Sequence, residues 1–190
     1  MGIHDFFEGG TDLSGLSSFL DGLSSEARLA AVRELSGKEQ AALFEAAQGK
    51  KPLTAADFVP EATPPLRQVI HEGKNSLPLF SRFQKRFCRP EAGARELWGY
   101  NEQALRWATG PGYFKVREID AGQVLIDYLD VPPGKAEGWP AIAPNSAGLS
   151  RFVYFKTQDT MRGVSRHVTI GRAARDGKWM DNWFALCRGE

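Results

Sequence analysis

Cysteine, histidine and long apolar runs are all scarce in this chain, and each scarcity closes off a class of chemistry. Two cysteines in 190 residues, Cys88 and Cys187, supply no disulfide framework. Only His4, His71 and His167 are present, and no Cys or His pair has zinc-site spacing, so no metal is expected. No segment approaches the ~20 consecutive apolar residues of a membrane-spanning helix. No basic start followed by an apolar stretch marks an export signal, and Phe6 stands where a myristoylation motif wants Ser or Thr. The expectation is a reduced, cytoplasmic protein.

Phosphate-cradling motifs are missing too. Neither a Walker-type run nor a GxGxxG occurs, Gly110-Pro111-Gly112 is too short to serve, and no GxSxG nucleophile elbow exists. No cofactor is expected. Net charge is only +1, far from a nucleic-acid-binding balance. That figure hides a split, with five Lys/Arg against nine Asp/Glu in residues 1–60 and nineteen against fourteen in residues 61–190.

What is abundant is core material: 42% hydrophobic residues, with twelve Phe and five Trp. Leu13, Leu16, Phe19, Leu20 and Leu23 recur at helical spacing, although Gly15 and Gly22 weaken the segment. Ser25 caps SEARLAAVREL, Ser36-Gly37 break it, and KEQAALFEAAQ follows with Gly49 as its stop. Four prolines between residues 52 and 65 mark a boundary, dividing a helical N-terminal segment, 1–60, from an α+β domain, 61–190. LPLFSRFQKRFCR reads as an amphipathic helix, with Phe80, Phe83 and Phe87 on one face and Arg82, Lys85, Arg86 and Arg89 on a solvated basic face. Another helix is expected within Glu91 to Ala108, with Leu97, Trp98, Leu105 and Trp107 as its apolar contributors.

From about residue 113 the pattern alternates. Strands are predicted at Tyr113 to Ile119, Val124 to Val131 and Arg151 to Thr157, then a hairpin from Val164 to Arg188 turning at Asp176-Gly177. Counting outward from that turn pairs Ala174 with Trp179, Arg172 with Asp181 and Ile170 with Trp183; the other face carries Thr169 with Phe184, Gly171 with Asn182, Ala173 with Met180 and His167 with Leu186. The fold class is therefore α+β. Helices pack on a C-terminal antiparallel sheet of about 113 to 188, as a curved sheet or partly closed barrel.

The loop from 132 to 150, PPGKAEGWPAIAPNSAGLS, is long enough to act as a lid or a plug, with Trp139 and Asn145 its notable residues. Beneath it, Tyr113, Tyr128, Tyr154, Trp139, Asn145 and Phe184 are the candidate ligand-binding residues for an apolar or aromatic small molecule. An alternative is a cofactor-independent isomerase, cyclase or hydratase on the same cavity, with His167 as proton carrier and Asp127 or Asp159 as its partner. Cys187 lies on the opposite face of the hairpin from His167 and reads as a core residue rather than a nucleophile. A third reading is a protein-interaction module, docking through an exposed stripe of Leu29, Val32, Leu43 and Phe44. Nucleic acid is not an expected partner, and no membrane span is expected.

Overall fold

Eight strands in strict succession curl until the last meets the first. The computed structural model describes residues 2–77, 81–104 and 106–189. Its strands are β1 (Val69–Asn75), β2 (Arg82–Cys88), β3 (Leu97–Glu102), β4 (Phe114–Ile119), β5 (Gln123–Asp127), β6 (Thr157–Gly163), β7 (Val168–Arg175) and β8 (Lys178–Arg188). Each pairs antiparallel with its neighbour in sequence, and β8 pairs with β1 to close an up-and-down barrel. Closure leaves no strand without a partner on either side among the described residues. The α+β class holds, with the sheet closed completely and starting at Val69 instead of near residue 113.

The early start overturns two expected helices. Phe83 and Phe87 match a helical repeat, but they also match a period of two, and the residue between them, Lys85, points into the barrel with them. An inward lysine hides the alternation that would have announced a strand. The basic face is thereby dissolved. Arg82 and Arg86 point outward, Lys85 is buried, and Arg89 is buried with its guanidinium donating to the carbonyls of Ala94 and Val59. In β3 both faces are covered, Leu97 and Gly99 inside and Trp98 and Tyr100 beneath a loop, so alternation vanishes there for a different reason. Only Arg106–Thr109 of the second expected helix is helical, as the short α5. Phe80 and Leu105, counted in those helices, lie outside the described residues. The strand expected at Arg151 to Thr157 is likewise replaced by a helical turn, α6 (Ser150–Val153), before β6 begins at Thr157.

The hairpin turns at Asp176-Gly177 as its chemistry demands, both residues having positive φ (49° and 72°). Pairing follows the turn for Arg175 with Lys178 and Ala174 with Trp179. Beyond that, Ala173 alone faces Met180, Asp181 and Asn182, and the ladder resumes with Arg172 opposite Trp183 and Ile170 opposite Ala185. The expected pairs Arg172–Asp181 and Ile170–Trp183 are thus displaced by a bulge of two extra residues. Arg172 stitches the bulge, its Nε donating to the Met180 carbonyl at 3.0 Å and its Nη2 lying 3.5 Å from Asp181 Oδ1. Two residues, unlike one, preserve which face each side chain takes. Thr169, Phe184 and Leu186 still point inward, while Val168, Ile170 and Cys187 point outward.

Helices α1 (Leu13–Asp21), α2 (Ser25–Glu34) and α3 (Gly37–Ala46) begin at side-chain caps: Asp12 to Gly15, Ser24 (one residue before the expected Ser25) to Ala27, and a Ser36/Glu39 capping box. Leu16, Leu20, Val32, Leu35, Leu43 and Phe44 form one core with outward-facing Val168, Ile170, Ala185 and Cys187 of the barrel. The stripe expected to await a partner is therefore used: Val32, Leu43 and Phe44 are buried against β7 and β8, and Leu29 packs beside them. Inside the barrel, α4 (Ala55–Phe58) plugs one end, Phe58 stacking on His71 and packing tilted against Phe87. Inward glycines give large rings room in this interior: a Cβ on Gly171 would come within 2.5 Å of Phe184 and 2.6 Å of Met161.

Candidate functional site

With α4 closing one end, the space left inside lies toward the other, between the β1–β2, β3–β4, β5–β6 and β7–β8 connections. A cavity of about 390 Å³ opens there. Its walls are Phe83, Phe184, Tyr154, Ala173 and Met180, with Thr157, Asn75, Gln103 and Asn182 interspersed. Leu77, Phe152 and Val153 form its mouth. Eight-stranded barrels are just wide enough to be filled by side chains or to hold one small ligand, and 390 Å³ falls within the range of small-molecule sites.

The floor is polar. Lys85, on β2, is 2% exposed and donates from Nζ to Asn101 Oδ1 at 3.0 Å, to Asp159 Oδ2 at 3.1 Å and to the Tyr128 hydroxyl. Asn101 in turn donates from Nδ2 to the Tyr128 hydroxyl and to the Gly112 carbonyl, both at 3.0 Å. Four strands, β2, β3, β6 and the end of β5, therefore converge on one ammonium. The ring of Phe184 lies 4.9 Å from Nζ, adding cation–π attraction to the ion pair. Burial pushes the Lys85 ammonium down from its ordinary range and the Asp159 carboxyl up, each opposed by the other's charge. Burial also holds the Tyr128 phenol far above its ordinary value, so it stays protonated. Tyr154 stacks on Tyr128 with centroids 5.4 Å apart and accepts from Gln103 Nε2 at 3.0 Å, sealing the floor from the β5–β6 side.

Of the residues singled out from the sequence, Tyr128, Tyr154, Phe184 and Asp159 meet in this cavity. The others are elsewhere. Tyr113 and Trp139 pack with Tyr100 on the outer surface of the β2–β4 wall, Tyr113 donating to the Pro140 carbonyl at 2.7 Å and Trp139 to Gln68 at 2.9 Å. The 132–150 loop is thus a cover for the outside of the sheet, and the cavity does not lie beneath it. Asn145 pins that cover, donating to the carbonyls of Tyr113 and Tyr128 at 2.8 Å and 2.9 Å. Asp127 points outward and pairs with Arg117. His167 precedes β7 at the plugged end, its carbonyl accepting from the Arg188 amide and its ring near the Arg188 guanidinium. The pairing of His167 with Asp127 or Asp159 does not form.

The central residue, Lys85, was missed because its charge read as solvent-facing. The available signal was the period-two spacing of Phe83, Lys85 and Phe87 itself. A second buried titratable group, His71, lies below the floor. Its Nε2 donates to the Phe58 carbonyl at 2.9 Å, and burial pushes its pKa down to about 3. Among the described residues no set of His, Cys, Asp or Glu side chains gathers as metal ligands, and no helix is long and apolar enough to cross a membrane. No protein-family model matches the chain. Nor does any curated protein match it, so the chemistry of the cavity is the guide to what it does.

Proposed function

We propose that the barrel binds one apolar or aromatic small molecule through the mouth formed by Leu77, Phe152 and Val153, with its single polar group against the Lys85 cluster. The observation that carries this reading is an open cavity of about 390 Å³ whose walls are largely apolar, with Phe83, Tyr154 and Phe184 prominent, and whose charged floor groups neutralise each other, while Arg175 is held to the carbonyls of Phe152 and Val153 at the mouth. A ligand carboxylate gains little from an ammonium already paired at 3.1 Å, so the inner end of the ligand is uncharged, a carbonyl or hydroxyl. The uncharged fluorophore N-phenyl-1-naphthylamine tests it. Wild type should bind one equivalent with a rise in emission and in melting temperature. Ala173→Trp, which fills the cavity from the β7 wall, should abolish both while still melting cooperatively. Absent binding to wild type, or undiminished binding to the filled variant, sinks the proposal.

Acid–base turnover of the same ligand is the second reading. It is favoured by the opposed shifts of Lys85 and Asp159 toward neutrality, which suit proton transfer at a buried site. Its proton carriers would be Lys85, Asp159 and Tyr128, and Asp159→Asn should then stop turnover while binding remains measurable.

A further inference from the structure

The two ends of the barrel differ in what they show to water. Nine large apolar residues are exposed among the described residues, and eight of them lie in the connections at the mouth end or at their margins; Leu66 alone is at the plugged end. The exposed aromatic rings include three from separate connections: Trp107 at 83% on α5, Phe152 at 63% on α6 and Trp179 at 51% on the β7–β8 hairpin. Leu77 adds the β1–β2 connection and Phe155 the approach to β6. Isolated exposed apolar residues need no explanation, but a ring of them contributed by four connections around one opening does.

The strand ends and connection tips nearest this opening carry charge of mostly one sign. Residues 76–82, 102–110, 149–156 and 175–181 hold six basic side chains against three acidic ones, and two of those three, Glu102 and Asp176, are paired with Arg106 and Lys156. Arg151 stands 5.0 Å from the Phe152 ring centroid and Lys156 5.9 Å from that of Phe155, so cations and rings alternate along the rim. Aromatic rings backed by Lys and Arg are the composition that settles at the boundary between lipid headgroups and acyl chains.

We propose that the mouth end docks on an anionic phospholipid surface, with Trp107, Phe152 and Trp179 entering the headgroup boundary and Arg151 and Lys178 meeting lipid phosphates. The occupant is chosen by charge: a basic rim around apolar tips complements an anionic bilayer, whereas a second copy would bring the four cations outside those pairs, Arg82, Arg151, Arg175 and Lys178, against the same four. Docking here also sets the cavity opening against the phase in which apolar molecules dissolve. The inference concerns the rim alone and stands whether or not the cavity takes a ligand.

Flotation with vesicles tests it, using phosphatidylcholine alone and phosphatidylcholine mixed with phosphatidylglycerol. Wild type should float with the mixed vesicles only, with a blue shift of tryptophan emission, and should be released at high salt as the Debye length falls from about 10 Å at 0.1 M to about 3 Å at 1 M. Trp107→Ser/Phe152→Ser and Arg151→Glu/Lys178→Glu, all exposed positions, should each lower partitioning at least about tenfold with melting temperatures unchanged. Equal flotation with both vesicle types, no flotation with either, or undiminished flotation of both double variants overturns the proposal. So does concentration-dependent dimerisation of the wild type that the Trp107→Ser/Phe152→Ser variant abolishes, because the rim would then be a contact between copies.

Discussion

Replacing Lys85 by Met removes one half of a buried ion pair and leaves Asp159, 4% exposed, facing Tyr128 and Asn101 without a counter-ion. The carboxyl escapes by binding a proton, which sets the size of the effect. The unfolded chain at pH 7 keeps that carboxylate ionised with a pKa of about 3.9, so holding it protonated in the native state costs about 1.36 kcal/mol for each of roughly three pH units, about 4 kcal/mol. The native state now binds the extra proton, so the loss is greatest at neutral pH and shrinks as pH falls, to about 1.5 kcal/mol at about pH 5. Asp159→Asn is the mirror case. The stranded ammonium must lose its proton against an unfolded pKa of about 10.4, a loss of about 4.5 kcal/mol at pH 7 that shrinks to about 2 kcal/mol as pH rises to about 9. The pair therefore predicts two destabilised variants with pH slopes of opposite sign. Lys85→Met/Asp159→Leu should return to within about 1 kcal/mol of wild type, because Asn101 and Tyr128 still hydrogen-bond each other. Urea denaturation at several pH values, comparing each variant with wild type at the same pH and constant m, measures all of this. Single-variant losses under about 1 kcal/mol, or losses indifferent to pH, would refute the argument.

The barrel should also be sensitive to acid through His71. Its pKa, about 3 when folded, lies below the ordinary histidine value, so stability is complete above about pH 6.5 and is lost at roughly 1.4 kcal/mol per unit as pH falls toward 3; His71→Phe should flatten the acid limb of a stability–pH curve by one proton, and an unchanged slope would assign the acid loss elsewhere. Gly99→Ala places a Cβ against the Phe114 ring and 2.6 Å from the Arg86 carbonyl, and overpacking of this kind should cost about 1–3 kcal/mol in urea melts; a neutral effect means the β2–β4 wall gives way. The Cys88 and Cys187 thiols, both buried and pushed by burial up to about 12 and about 11, should resist Ellman's reagent until denaturant is added, and rapid labelling of the native protein would show that the outer covers open.

Legibility followed the balance between local and distant causes. The break between α2 and α3 at Ser36-Gly37, the Asp176-Gly177 turn and the inward face of β7 and β8 are local chemistry, and each stood in the sequence in readable form; the cap of α2 lies at Ser24, one residue before the expected Ser25. The bulge after Ala174 depends on Arg172 reaching the Met180 carbonyl, which no count outward from a turn reveals. β2 and β3 were misread because their patterns answer to partners remote in sequence: Lys85 is tolerable inside only because Asp159, 74 residues later, meets it, and Trp98 and Tyr100 are covered by the 131–142 segment. The candidate site inherits the same division. Tyr128, Tyr154, Phe184 and Asp159 could be nominated as aromatic and polar residues on strands, whereas His167 drew notice as a histidine alone, and its place before β7 put it at the wrong end.

Closure of the barrel between β1 and β8 has a consequence in time as well as in space. The ladder that sets His71 opposite Arg188 and Asn75 opposite Phe184 joins residues more than a hundred apart in the chain, among the longest loops the molecule must close. The surface on which α2 and α3 rest is assembled from β7, β8 and β1, so it exists only after that seam has formed. The helices, local and quick to nucleate, must therefore wait beside an unfinished sheet. Long-range pairing of this kind predicts folding at the slow end of the range for a chain this size, with docking of the helices expected after the seam closes.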